Sequence, residues 1–270
     1  MSFNRAAEYY DATRALPAET MAELRGMLGR ELAGRQPCLE IGVGTGRIAL
    51  PLREQGIAMA GLDIAESMLA RLVGNAGGRL PFPLVLADAS RLPLVECSFG
   101  SVLAVHVLHL VPAWRDAIDE AFRVLRPGGA LIASFPGGGT GPRRPRPGPA
   151  TPWAAVLQVT AQRHGITRAA RGARGPADVA DYLGPRATTR RLPEVRVTEL
   201  RSLRTTLLNL EGQVYSWTWP YPPEQVLRLG TEIRAWAAQE GLSLEQEHAV
   251  QSTLEWWAFE RPPGQLPPPG

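Results

Sequence analysis

The run Cys38-Leu39-Glu40-Ile41-Gly42-Val43-Gly44-Thr45-Gly46-Arg47 constrains this chain more than any other stretch. A short apolar segment carrying an acid stops at three glycines in alternate positions, and the pattern then turns helical through Ile48, Ala49, Leu50 and Leu52. Glycine has no Cβ, so the backbone can turn tightly there and a ligand can approach the main chain closely. A strand that stops, turns on glycines and opens a helix is how parallel α/β proteins build a nucleotide site. The spacing is E-x-G-x-G-x-G. It lacks the Gly-Lys-Ser/Thr ending of a phosphate-binding P-loop. Its third glycine also comes one position too early for the G-x-G-x-x-G of a dinucleotide site. Glu40 would place negative charge beside a pyrophosphate, and it suits instead a ligand with a cationic portion.

The segments 37–41, 58–63, 84–88, 101–105 and 130–135 read as strands, and 17–34, 46–55, 65–72 and 113–125 as helices. Strands alternating with helices imply βαβ units and a parallel sheet. Ligands bind such sheets at the carboxyl ends of the strands. The glycine turn, Asp63, Asp88 and the end of the fourth strand are therefore expected to converge. A carboxylate can accept from both vicinal hydroxyls of a ribose, which suits Asp63. Asp88 with the Ala89 backbone N–H could read the edge of an adenine. One aspartate after a strand is a common turn residue; the ordered set with the glycine turn is the stronger signal. A ligand with an adenosine, no phosphate, a sulfonium and an ammonium fits all of it, and that ligand is S-adenosylmethionine.

The alternation breaks at Pro136, and 136–149 reads as a Pro/Gly/Arg-rich linker. Helices are expected at 153–164, 178–183 and 223–239, and strands at 195–200 and 248–259. The division expected is a core over 1–136, a variable insertion over 137–190, a segment completing the sheet and shaping the substrate pocket over 191–261, and a disordered proline-rich tail over 262–270. Tyr215, Trp217, Trp219 and Tyr221 alternate within seven residues of a chain with 7 Trp, 5 Tyr and 6 Phe. They could wall a substrate pocket or form a packed seam. The net charge is only +3, but Arg143, Arg144, Arg146, Arg168, Arg171, Arg174, Arg186, Arg190 and Arg191 crowd the middle third. That leaves a nucleic-acid partner as an alternative, diluted by prolines and glycines. The two cysteines, Cys38 and Cys97, have no metal-ligand spacing, and no metal is expected. No apolar run approaches the roughly 18 residues of a membrane span. Met1 to Glu8 lacks the apolar core of a signal peptide, so a cytoplasmic location without membrane insertion is expected.

These motifs together resemble the class I S-adenosylmethionine-dependent methyltransferases, in particular the group (methyltransferase type 11) that includes the ubiquinone- and menaquinone-biosynthesis enzymes. Leu39 to Arg47 is similar to the family's first motif, Gly61-Leu62-Asp63-Ile64-Ala65-Glu66-Ser67-Met68-Leu69 to the second, and Ala87-Asp88-Ala89 with Leu92-Pro93 to the adenine motif. Val105 to Val111 resembles the segment beside the cofactor's methionine part, and Phe122 to Gly129 the signature after the following helix. The resemblance implies a Rossmann-like, seven-stranded, mostly parallel sheet with strand 7 antiparallel. Helices lie on both faces, and a helical insertion or cap follows strand 5. Its sixth and seventh strands would be 195–200 and 248–259. It implies a cofactor site of Glu40, Gly42, Gly44, Gly46, Asp63, Ile64, Met68, Asp88, Ala89 and His106. Tyr9 to Arg14 resembles a segment whose aromatic and arginine, here Tyr10 and Arg14, close over the cofactor carboxylate. The implied reaction is methyl transfer to a small-molecule acceptor at oxygen, nitrogen or carbon, with His106 as candidate base and Tyr215, Trp217 and Trp219 as candidate acceptor-binding residues. An RNA methyltransferase using the arginine-rich insertion and a cofactor-binding protein without transferase activity are the alternatives.

Overall fold

The computed structural model describes residues 11, 13, 15–135, 151–167 and 171–264. They divide into two compact units. The larger takes 11–135, 171–196 and 253–264, and the smaller takes 151–167 and 197–252.

The first half of the chain delivers the expected alternation. Helix α1 (Ala18–Leu32) leads into β1 (Cys38–Ile41), followed by α2 (Ala49–Glu54), β2 (Met59–Asp63), α3 (Glu66–Asn75) and β3 (Leu84–Leu86). Then come β4 (Phe99–Val105), α4 (Trp114–Val124) and β5 (Leu125–Phe135). After the insertion follow α5 (Ala154–Arg163), α6 (Pro176–Leu183), β6 (Thr188–Arg191), β7 (Val195–Arg201), α7 (Leu203–Glu211), α8 (Pro223–Gln239) and β8 (His248–Glu260).

The sheet runs β3-β2-β1-β4-β5-β8-β6, with β7 paired to β8. Strands β1 to β5 pair parallel, and β8 runs antiparallel to both β5 and β6. The order reverses between β1 and β4, which puts the switch point at the glycine turn. Strand residues alternate strictly between two cores. Cys38, Leu103, Ile132 and Trp256 face a layer holding Leu24, Leu28, Leu52 and Leu72. Their neighbours Leu39, Ala104, Leu131 and Phe259 face a layer of Trp114, Ile118, Phe122 and Val179. Helices therefore cover both faces, as the near-continuous apolar runs of the strands require.

The described strands number eight rather than seven. Val195–Arg201 and His248–Glu260 are strands as expected, and the second is antiparallel. The edge beside β8, however, is taken by Thr188–Arg191, a polar segment without apolar alternation. A short edge strand can be polar because it buries little, and its arginines discourage further pairing.

In the smaller unit, α5, α7 and α8 pack around Trp153, Leu157, Leu207, Leu210, Leu229 and Ile233. Helix α7 escaped the sequence reading, although its signals are present. Ser202 caps it by accepting from the Thr205 N–H at 3.1 Å, and Leu203, Leu207 and Leu210 recur at helical spacing.

Candidate functional site

The glycine turn is built by conformational need. Gly42, Gly44 and Gly46 have φ of +65°, +56° and +82°, a region that side chains with a Cβ enter only at a cost. The three differ in what surrounds them. A Cβ on Gly42 would lie 2.6 Å from Val107 Cγ2, and one on Gly46 would lie 2.8 Å from Leu72 Cγ. At Gly44 the nearest atom would be the Gly42 carbonyl at 4.0 Å, so this residue presents an open main-chain surface. Two of the glycines thus serve packing, and the middle one leaves the cradle that a ligand can fill.

Asp63, at the tip of β2 and 8% exposed, braces this cradle. Its Oδ2 accepts from the Gly44 N–H at 2.9 Å and its Oδ1 from the Ala65 N–H at 2.9 Å. Burial raises its pKa, and the backbone donors work against that. The Ile64 N–H acts on it as well; a carboxylate offers about four lone-pair directions, so capacity remains for a hydroxyl donor. The next residue, Ile64, is a 59% exposed aliphatic side chain beside the acid. Met68, one turn into α3, is by contrast buried at 3% exposure and belongs to the wall beneath.

Glu40 is the unusual group. It is 2% exposed, and among the described residues its Oε2 has no hydrogen-bond partner. It lines a small cavity with Gly42, Val43, Arg47, Ile48 and Val105. Burial pushes its pKa up to about 8; Arg47 pulls the other way and Asp63 adds to the rise. A buried polar atom without a partner is rare enough to need a reason, and an incoming ligand is one.

At the end of β3, Asp88 is exposed and its Oδ1 accepts from the N–H and hydroxyl of Ser90 at 2.8 and 2.7 Å. Ala89 is buried beside it. The loop that follows is held by residues the motif reading did not single out. Arg123 donates to the carbonyls of Leu92 and Leu94 at 3.0 and 2.9 Å, while Glu120 accepts from the Leu92 N–H at 2.6 Å.

His106 ends β4 with φ of +52°, and its N–H donates to the Ser134 carbonyl at 3.0 Å. A non-glycine residue held there is a local strain that the surroundings must impose, and such residues cluster at functional sites. The loop carrying it is pinned from two sides. Val107 fills the space over Gly42, and Gly172 and Ala173 donate their N–H groups to the carbonyls of His109 and Leu108 at 3.0 and 3.1 Å.

Tyr10 and Arg14 lie outside the described residues. Asp11, between them, is described and was missed by the sequence reading. It accepts from the Thr45 hydroxyl within the glycine turn and from Asn75 and Arg71 of α3. Burial opposes its ionisation, but those donors outweigh burial and hold its carboxyl below the usual range. No spacing rule would have paired it with Thr45.

In the smaller unit, Tyr215 and Trp217 stack at 5.8 Å with planes 13° apart, and both pack partly buried on the helical core. Trp219 donates through Nε1 to the Gln213 carbonyl at 2.8 Å. The alternating aromatics thus sit around a 3-10 turn (Ser216–Thr218) rather than on a strand. Among the described residues no cluster of His, Cys, Asp and Glu could hold a metal ion.

Comparison with known proteins agrees with this geometry. Residues 39–133 match the family model described as a methyltransferase domain. The chain is 30% identical over 141 residues to the malonyl-[acyl-carrier protein] O-methyltransferase of Geobacter sulfurreducens, covering 52% of this chain and 53% of that one. It is also 30% identical over 135 residues to the demethylmenaquinone methyltransferase of Tropheryma whipplei, covering 48% and 55%. The chain spans about half the length of the relatives it matches. The solved structure of the YcgJ protein from Bacillus subtilis shares the fold, with a TM-score of 0.56 at 14% identity over 89% of this chain and 98% of that one.

A parallel sheet with this strand order and a glycine turn at the switch point define a Rossmann-like nucleotide-binding core. Residues 39–133 match a methyltransferase domain, and their motifs are similar to those of the class I S-adenosylmethionine-dependent methyltransferases. The residues present fit that cofactor: an open main-chain cradle at Gly44, a carboxylate with acceptor capacity left at Asp63, an exposed aliphatic surface at Ile64 and an unpaired buried acid at Glu40.

Proposed function

We propose that this chain transfers a methyl group from S-adenosylmethionine to a small-molecule acceptor. The observation that carries the reading is the open cradle at Gly44, clasped by Asp63 and backed by the unpaired, buried Glu40. When bound, the cofactor supplies a methyl group on a sulfonium leaving group. The chain supplies the rest. Gly42, Gly44 and Gly46 shape the turn so that main chain meets ligand. Asp63 takes the ribose hydroxyls, and Asp88 with the Ala89 N–H reads the adenine edge beside Ile64. Met68 backs that wall from the core. Glu40 faces the cationic portion, and Tyr10 and Arg14 belong to the site on the strength of the N-terminal resemblance.

Holding acceptor and donor in line can supply about 7–11 kcal/mol of the barrier without a base. Where the acceptor must lose a proton, His106 is the group placed to take it. Within the smaller unit, Tyr215 and Trp217 form an apolar stacked surface, the candidate for binding the acceptor, and Trp219 supports their turn. The relatives' acceptors differ from one another, so oxygen, nitrogen and carbon all remain within the reading.

Ion pairing of four of the five described arginines of this group, all but Arg171, argues against nucleic acid as the acceptor. Arg174 pairs with Asp178 at 2.7 Å, Arg186 with Asp119 at 2.7 Å, Arg190 with Glu31 at 2.7 Å and Arg191 with Glu255 at 3.0 Å. Arg143, Arg144, Arg146 and Arg168 lie outside the described residues. Free thiols at Cys38 and Cys97 suit the reducing cytoplasm, and no described helix is long and apolar enough to cross a membrane.

The purified chain, incubated with S-adenosylmethionine and a panel of small carboxylates, phenols, quinols and amines, is expected to release S-adenosylhomocysteine with at least one of them. Tight cofactor binding with no release across the panel would leave a binding protein without transferase activity. Retention on an RNA column at moderate salt, with release only on RNA, would favour the nucleic-acid reading.

A further inference from the structure

Glu40 is a puzzle if it is regarded only as a ligand. A fully buried carboxylate with one oxygen lacking any hydrogen-bond partner among the described residues is a poor resting state for a protein interior. Its surroundings supply little charge to offset burial. Arg47, from the turn, lowers its pKa, and Asp63, from β2, adds negative charge. On β1 itself, Cys38 is a buried thiol pushed up to about 12, so it stays neutral. In register with Glu40 stand Leu103 of β4 and Gly61 of β2, and Val105 lines the same cavity; none of the three titrates. Among the described residues, His106 after β4, Asp88 after β3 and Asp11, bound to Thr45 of the glycine turn, are further titratable groups at this end of the sheet. Neutralisation by a proton is the inexpensive solution in such a place.

We propose that Glu40 stands protonated in the free protein and ionises as the cationic cofactor arrives, so that cofactor capture is coupled to release of one proton. The inference rests on the cofactor reading above and deepens it: Glu40 becomes the residue that recognises positive charge rather than shape. The Oε–H bond breaks, the proton passes to solvent, and the carboxylate formed pairs with the ligand's cationic centre. The ligand carries two such centres, an ammonium and a sulfonium, and the demethylated product retains only the ammonium. The coupling also fixes the direction of the pH effect. Below the pH at which free Glu40 ionises, binding must displace a proton, so affinity falls as the solution becomes more acidic. Above it Glu40 is already ionised, and the dependence vanishes.

Calorimetric titration of the full chain with S-adenosylmethionine, repeated at pH 7 in buffers of different ionisation enthalpy, counts the protons released. Close to one proton per ligand is expected at pH 7 and none at pH 9.5. The dissociation constant should fall about tenfold between pH 6 and pH 7. Titration with S-adenosylhomocysteine separates the two cations: release with both ligands assigns the ammonium, and release with S-adenosylmethionine alone assigns the sulfonium. Glu40→Gln should abolish the release and flatten the pH dependence. Glutamine has the shape and neutrality of the protonated acid, so this variant should fold. An independent check without a variant is infrared difference spectroscopy of the wild-type chain, where a protonated carboxylic C=O band should disappear on cofactor binding. Binding without proton release, release that persists in Glu40→Gln, or no loss of that band overturns the proposal. Failure of either ligand to bind at all overturns the cofactor reading instead.

Discussion

The Gly44 N–H donates to Asp63 Oδ2 at 2.9 Å, joining the turn after β1 to the acid that ends β2. The partner that a ribose would use therefore also holds the turn on which the ligand lies. Because Oδ1 simultaneously accepts from Ala65 at 2.9 Å, removing the side chain orphans two amides. Asp63→Ala should cost about 1–3 kcal/mol of stability and weaken S-adenosylmethionine binding by about tenfold or more. Asp63→Asn can keep one acceptor and should fall between. Urea unfolding and calorimetric binding on the same samples check both parts.

The glycines should separate by variant. Gly42→Ala must move Val107, because its new Cβ would sit 2.6 Å from that side chain, and its φ of +65° adds strain. It should unfold at markedly lower urea concentration than the parent. Gly44→Ala meets nothing closer than 4.0 Å and bears only the backbone cost of φ +56°, about 1–2 kcal/mol. It should fold and yet lose cofactor affinity, since its methyl group fills the cradle. Equal affinity in Gly44→Ala and the parent would mean that no ligand approaches this main chain.

How much of this was legible beforehand depends on whether the signal was local. Strands β1, β2, β4 and β5 could be read because they are largely buried apolar runs, and edge strand β3 because its run Leu84-Val85-Leu86 is apolar throughout. Local composition therefore carries the message. Strand β6 could not, because Thr188–Arg191 pairs only at an edge and buries little. The Asp11–Thr45 hydrogen bond joins residues from separate elements and leaves no spacing to detect. The aromatics at 215–221 allow a pocket wall or a packed seam by sequence, and the structure sets them around a 3-10 turn with Tyr215, Trp217 and Tyr221 partly buried on the helical core. Ser202 with Leu203, Leu207 and Leu210 was readable and overlooked. Glu40 was read as an acid in the right place, but its missing partner is a fact of three-dimensional packing.

Glu40 should also mark the pH dependence of folding. Its carboxyl rises from 4.5 to about 8 on folding, so the folded chain holds a proton that the unfolded chain releases. The stability linked to this group is fully present below pH 4.5 and drains away as pH rises toward 8. The slope in that window is at most about 1.4 kcal/mol per pH unit. Glu40→Gln removes the term and leaves the histidines untouched. The difference in unfolding free energy between variant and parent should therefore grow from pH 5 to pH 8 and then level off. A difference independent of pH would sink this account.

Arg190 should matter to stability rather than to any polyanion. It donates to Glu31 of α1 at 2.7 Å and to Glu260 of β8 at 3.0 Å, and Arg35 donates to both acids at 3.3 and 2.8 Å. Arg190 holds the Glu31 carboxyl below its ordinary range. The group is partly exposed, so Arg190→Met should cost only about 1 kcal/mol at neutral pH. Because a depressed carboxyl contributes above its unfolded pKa, that cost should fade as pH falls through the lowered value. Denaturant midpoints at pH 7 and pH 3 test the trend.

The last prediction concerns His106, where catalysis and backbone strain coincide. Its φ of +52° is relieved by glycine and tolerated by asparagine. His106→Gly should therefore gain about 1 kcal/mol of stability, and His106→Asn should change stability little. If the imidazole takes a proton from the acceptor, both variants should lose about 100-fold or more in turnover while binding S-adenosylmethionine as the parent does. The loss should shrink for an acceptor that needs no deprotonation. Normal turnover in His106→Asn would leave the histidine a structural tip to β4 and return the chemistry to positioning alone.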